Sequence, residues 1–174
     1  MKIIKSILLL GAAMSLVASA RAETTVKLSN VHLCCKGCVT GVETALGKVS
    51  GASARCDSAA GTVELTAPDK ATAQQAVDAI VSAGYFGTSS DPGIKVIDRS
   101  GAKDESVKSL KVAGVHLCCS KCVKAVNQAL TTVKGVSGNT AAVDAESFEV
   151  TGDFNAKAVF AALNKAGLAG SVGK

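Results

Sequence analysis

Aromatic side chains are scarce in this sequence: it has no tryptophan, one tyrosine and four phenylalanines. Without ring platforms for bases, and with cores left to small aliphatic residues, single-stranded nucleic-acid binding is not expected. Proline is equally rare. Pro68 and Pro92 are the two, and neither recurs with the cysteines as the cis-proline of a thioredoxin-type site would. No phosphate-cradling glycine loop and no serine, histidine and acid set is visible, so enzymatic activity is not expected. Beyond the amino terminus no long apolar run follows, which rules out a membrane pump on this chain.

The amino terminus reads as a leader. Lys2 and Lys5 precede an apolar stretch from Ile7 to Ala18, and Ala20-Arg21-Ala22 forms a small-residue cleavage site before Glu23. Residues 1–22 are therefore expected to be a signal peptide, and the remainder to be periplasmic or secreted, with no membrane attachment after cleavage. Removing Lys2, Lys5 and Arg21 leaves 16 basic against 14 acidic residues where the full chain carries +5. A balance so near neutral gives no electrostatic argument for a nucleic-acid partner.

Cysteine is what the sequence does have. Val31-His32-Leu33-Cys34-Cys35-Lys36-Gly37-Cys38 returns 84 positions later as Val115-His116-Leu117-Cys118-Cys119-Ser120-Lys121-Cys122, and six of the seven cysteines lie in these two phrases. Each phrase ends in Cys-x-x-Cys preceded directly by a further thiol. Thiols bunched this closely bind soft metals or exchange with disulfides. Two thiolates flanking a strand-to-helix turn can point at one ion, and a neighbouring helix amino terminus, helped by Lys36 and Lys121, favours the thiolate. Cu(I) and Hg(II) accept two or three sulfurs, whereas Zn(II) and Cd(II) usually take four ligands. Three thiols per phrase favour Cu(I), with Hg(II), Zn(II) or Cd(II) as alternatives. The candidate ligands are Cys34, Cys35, Cys38, Cys118, Cys119 and Cys122, with His32 and His116 as further candidates. Because those histidines alternate with Leu33 and Leu117, they are expected to face away from the packed side, on a solvated rim. The seventh thiol, Cys56, has Thr140 as its counterpart and reads as a small half-buried core residue.

The repeat implies two modules. In the first, alternating residues lead into the cysteines as a strand, and Val39, Val42, Leu46 and Val49 recur at helical spacing with Cys38 in the first turn. A hairpin runs through Ala52–Asp57 and Thr62–Thr66, a helix spans Ala71–Ala83, and Tyr85–Ser89 forms a short last strand. The second copy repeats the order: a strand over Val107–Leu117, a helix over Val123–Val133, a hairpin over Val136–Asp144 and Phe148–Thr151, a helix over Asn155–Ala166, and a strand over Leu168–Val172. The expected fold is α+β: two ferredoxin-like βαββαβ domains, each a four-stranded antiparallel sheet with two helices on one face. Residues 23–90 form the first domain, 91–106 a linker whose charges serve solvation, and 107–174 the second. The run Ile94–Ile97 is read as an extension of an edge strand.

Both copies resemble the heavy-metal-associated domain of copper chaperones, periplasmic mercury-binding proteins and metal-pumping ATPases. Cys35-Lys36-Gly37-Cys38 and Cys119-Ser120-Lys121-Cys122 match its metal loop, Gly135-Val136 its turn, and Ala83-Gly84-Tyr85 and Ala166-Gly167-Leu168 the end of its second helix. Leu33 and Leu117 stand where the family has methionine, His32 and His116 where it has glycine, and Cys34 and Cys118 at its variable position. Leu168 replaces the aromatic residue that Tyr85 retains. The resemblance implies an exported soft-metal chaperone or sequestering protein, with one cysteine site per domain and a metal donor or acceptor protein as partner. The alternatives are a thiol-disulfide redox protein and an interaction module of the same fold without metal.

Overall fold

The computed structural model describes residues 22–174. The signal-peptide reading of residues 1–22 falls almost wholly outside them. Among the described residues no helix is long and apolar enough to cross a membrane.

The first domain runs β1 (Thr24–Ser29), α1 (Lys36–Leu46), β2 (Ser53–Asp57), β3 (Thr62–Ala67), α2 (Lys70–Ser82) and β4 (Thr88–Ser89). The second runs β5 (Ser106–Ala113), α3 (Ser120–Leu130), β6 (Val136–Asn139), β7 (Ser147–Asn155), α4 (Ala156–Lys165) and β8 (Ser171–Val172). The strands form two four-stranded sheets in the orders β2-β3-β1-β4 and β6-β7-β5-β8, with every pairing antiparallel. This is the ferredoxin-like α+β architecture, twice.

Period-two burial fixes the inward face of each central strand. Val26 and Leu28 of β1 and Val63 and Leu65 of β3 are buried while their neighbours are exposed or only partly buried. On the helices Val42 and Leu46 of α1 and Ala73, Ala76, Val77 and Ile80 of α2 close the first core over that face. Val126 and Leu130 of α3 with Val159, Phe160 and Leu163 of α4 do the same in the second. Asp69 caps α2 by accepting from the Thr72 amide at 2.8 Å, and Asn155 caps α4 by accepting from that of Ala158 at 3.1 Å.

Three local readings are corrected. The entering strand of the second domain stops at Ala113 rather than Leu117, because Gly114, at φ +73°, turns the chain out of the sheet. Asn30, at φ 60°, does the same after β1. These residues are equivalent in the repeat, and both types tolerate the left-handed region. The closing strands shrink to two residues each, since Tyr85 and Leu168 leave their own sheets and bridge to one another. Ile94–Ile97 forms no strand.

The linker keeps most of its charged side chains exposed but packs against both domains. Ile94 is buried, the Gln74 side chain exchanges hydrogen bonds with the Lys95 backbone at 2.8 Å in both directions, and Arg99 pairs with Asp78 at 2.7 Å. Further along, the Ser100 carbonyl accepts from the Val172 amide at 2.8 Å. One segment thus grips α2 of the first domain and β8 of the second.

Candidate metal centre

Each thiol loop is built by burying what flanks it. Val31 and Leu33 sink into the first core and Val115 and Leu117 into the second, so the cysteines that follow must cross the end of the sheet. The Val31 amide donates to the Gly61 carbonyl at 2.9 Å, and the Asp144 amide donates to that of Leu117 at 2.8 Å, tying each loop to its hairpin. Cys35 and Cys119 are the residues before α1 and α3, both in extended backbone, and neither side chain caps its helix. Cys38 and Cys122, in the first turns, are fully buried.

The two loops meet. Cys34 Sγ lies 3.5 Å from both Cys119 Sγ and Cys122 Sγ, and Cys118 Sγ lies 3.4 Å from Cys35 Sγ and 3.6 Å from Cys38 Sγ. Cys38 and Cys122 touch at 3.8 Å across the boundary. Within the loops the separations are no shorter: Cys34–Cys38 is 3.7 Å, Cys35–Cys38 3.8 Å, Cys118–Cys122 3.8 Å and Cys119–Cys122 3.9 Å. The expectation of one separate cysteine site per domain is therefore corrected. The six thiols form one cluster to which both domains contribute equally.

Backbone contacts hold the loops face to face. Tyr85 and Leu168 bridge antiparallel, Phe86 donates to the Gly167 carbonyl at 3.0 Å, and Ala169 donates to that of Gly84 at 2.9 Å. Gly84 and Gly167 both have positive φ, and a Cβ on Gly84 would come 2.5 Å from the His116 nitrogen while one on Gly167 would come 2.6 Å from that of His32. Both glycines are needed for conformation and for the close approach of the other domain.

The histidines do not lie on a solvated rim. A ring nitrogen of His32 is within 4.8 Å of the thiols of Cys34 and Cys122, and His116 stacks on Tyr85 with ring centroids 4.8 Å apart. Alternation does turn them away from their own core, but that side of each loop faces the other domain rather than solvent. Both Nε2 atoms are buried without a hydrogen-bond partner, an expensive condition for a polar atom that has nothing to bind. Tyr85 is also buried, and its hydroxyl donates to the Cys38 carbonyl at 2.9 Å.

Packed thiols do not ionise independently. Hydrogen bonding to Cys122 holds the Cys38 thiol well below its ordinary range, overcoming burial, with His116 adding to the effect. Cys122 is driven up by that same partner and by burial. Burial also raises Cys34, to about 12, and Cys118. Cys119 falls to about 6, chiefly through the backbone amide of Cys122 at the start of α3. Burial lowers His32, with Cys38 opposing. Cys38 and Cys119 give up their protons easily while Cys34, Cys118 and Cys122 resist, since each further thiolate lies beside an existing one. A bound cation would remove that resistance. Cys56 stands apart, half-buried on β2, with burial raising its thiol.

No family model matches this chain, and no curated protein does. Among solved structures it is similar to the N-terminal soluble domains of Bacillus subtilis CopA, at 14% identity and a TM-score of 0.33, over 88% of this chain and 95% of that one.

Proposed function

We propose that this is an exported, non-enzymatic protein that binds Cu(I) and holds it between its two domains, as a sequestering protein or a chaperone. The observation that carries the reading is the convergence of six thiols, with a His32 ring nitrogen within 4.8 Å of two of them, on one point of the domain boundary. Thiolates select soft ions, and a low-coordinate monovalent ion suits sulfurs arranged in threes. Since Cys38 and Cys122 are fully buried, a partner's thiol reaches the innermost ligands only once the domains part. Retention is thus favoured over rapid hand-over. Export, periplasmic or extracellular residence and a donor or acceptor protein follow the leader reading and the resemblance to heavy-metal-associated domains, and belong to the same proposal.

Anaerobic titration of the reduced chain, without residues 1–22, with Cu(I) against a competing chelator tests it. Tight uptake with sulfur-only or sulfur-dominated coordination in X-ray absorption is the expected result. Weak uptake, with thiols returning quickly to disulfides in air, would transfer the cysteines to redox chemistry.

A further inference from the structure

Resting on that reading, we propose that the six thiolates hold a single polynuclear Cu(I)–thiolate cluster, with thiolates bridging between ions, rather than two isolated ions. The sulfurs form a strip of triangles. Cys34, Cys119 and Cys122 make the first, Cys34, Cys38 and Cys122 the second, Cys38, Cys118 and Cys122 the third, and Cys35, Cys38 and Cys118 the fourth, with every side between 3.4 and 3.9 Å. A metal–sulfur bond of about 2.3 Å places the three sulfurs of a trigonal ion about 4.0 Å apart. Each triangle is therefore close to the size of one trigonal site. Successive triangles share an edge, so ions occupying them share thiolates.

Charge argues for several ions. With all six thiols ionised, two Cu(I) would leave four negative charges around sulfurs that include the fully buried Cys38 and Cys122, so two ions leave thiols protonated and unused, whereas four ions let all six ionise with two charges left. Buried charge without a counterion is costly. The residual charge is met by the amino termini of α1 and α3, where Cys35 and Cys119 precede the helices. Loading is an exchange of thiol protons for Cu(I), without change of oxidation state.

The geometry also gives the thiol preceding each Cys-x-x-Cys a task. Every triangle contains Cys34 or Cys118. Removing both leaves Cys35 with Cys38 and Cys119 with Cys122, two pairs that each hold one ion.

Native mass spectrometry and X-ray absorption of the reduced chain during anaerobic Cu(I) titration decide the matter. The expected result is a four-ion species appearing beside metal-free chain at low loading, with a copper–copper scattering shell. Cys34→Ser with Cys118→Ser should halve the capacity to two ions, filled independently, and abolish that shell. One- and two-ion species filling in turn, saturation at two ions in the parent chain, or a four-ion species surviving in the double variant would each overturn the cluster while leaving Cu(I) binding intact. No Cu(I) uptake at all would overturn the functional proposal with it.

Discussion

Gly41 and Tyr85 form a matched pair. A Cβ on Gly41 would come within 3.0 Å of His116 and would collide with the Tyr85 hydroxyl; the equivalent helix position in the second domain is Ala125, and there Leu168 replaces the tyrosine. A glycine inside a helix costs about 1 kcal/mol relative to alanine, and what the first domain gains is room for a buried ring that hydrogen-bonds the Cys38 carbonyl. Tyr85→Phe should therefore destabilise the chain by about 1 kcal/mol, measured by denaturant unfolding, while leaving the thiols in place. Tyr85 gives a second readout because it is the sole tyrosine and tryptophan is absent. Burial, reinforced by the nearby Cys38 thiolate, raises its phenol. Since the folded chain keeps that proton, stability is intact below the ordinary value of about 10 and declines as pH rises past it. Phenolate absorbance should appear together with unfolding, not before it; ionisation near pH 10 in the still-folded chain, as circular dichroism would show, would contradict the buried placement. At this scale the thiols that cluster were legible in the repeated phrase. The histidines were not, since a period-two argument assigns a side chain to one face of its own sheet and is silent about a second domain.

The elements were legible where hydrophobic period and caps agree. Asp69 lies one residue before α2 and Asn155 one before α4, each accepting from an amide in the first turn. Asp69→Ala should lower stability by about 1 kcal/mol without changing metal capacity, because the cap acts on the Thr72 amide of α2, a helix that carries no thiol. Helices α1 and α3 begin differently, with a cysteine that makes no capping bond in the place where serine or aspartate usually sits. Those two amino termini are directed to the cluster instead. The closing strands were placed correctly along the chain but drawn too long, because Tyr85 and Leu168 read as strand residues and do form a bridge, only with each other rather than with their own sheets. Residues 94–97 carry the strand-forming Ile94, Val96 and Ile97 and nevertheless pack as a strap, since the Lys95 backbone N–H and C=O are both taken by the Gln74 amide.

At the scale of the whole molecule, the domain boundary brings the six thiols together, and it rests on few residues. Gly84 and Gly167 allow the backbones to touch, and the strap from Ile94 to Ser100 holds both partners. Gly167→Ala places a Cβ 2.5 Å from the Asn30 carbonyl oxygen at a backbone with φ +80°. Left-handed backbone alone costs an alanine about 1 kcal/mol. The variant should keep both sheets, give a larger radius in small-angle scattering and lose cooperative metal uptake; unchanged radius and uptake would show that the glycine contact does not set the domain arrangement. Nothing in a single sequence indicates that two copies of a motif face one another, because the glycines involved also end their helices and are accounted for by that alone. The central claim is that one ion is ligated from both domains. Cadmium-edited proton NMR of the metal-loaded chain tests it most directly, since scalar coupling passes from the ion to the Cβ protons of each cysteine bound to it. The account predicts a cadmium resonance coupled to cysteines of both loops, such as Cys34 with Cys119 and Cys122. Resonances each coupled only to Cys34, Cys35 and Cys38, or only to Cys118, Cys119 and Cys122, would contradict it.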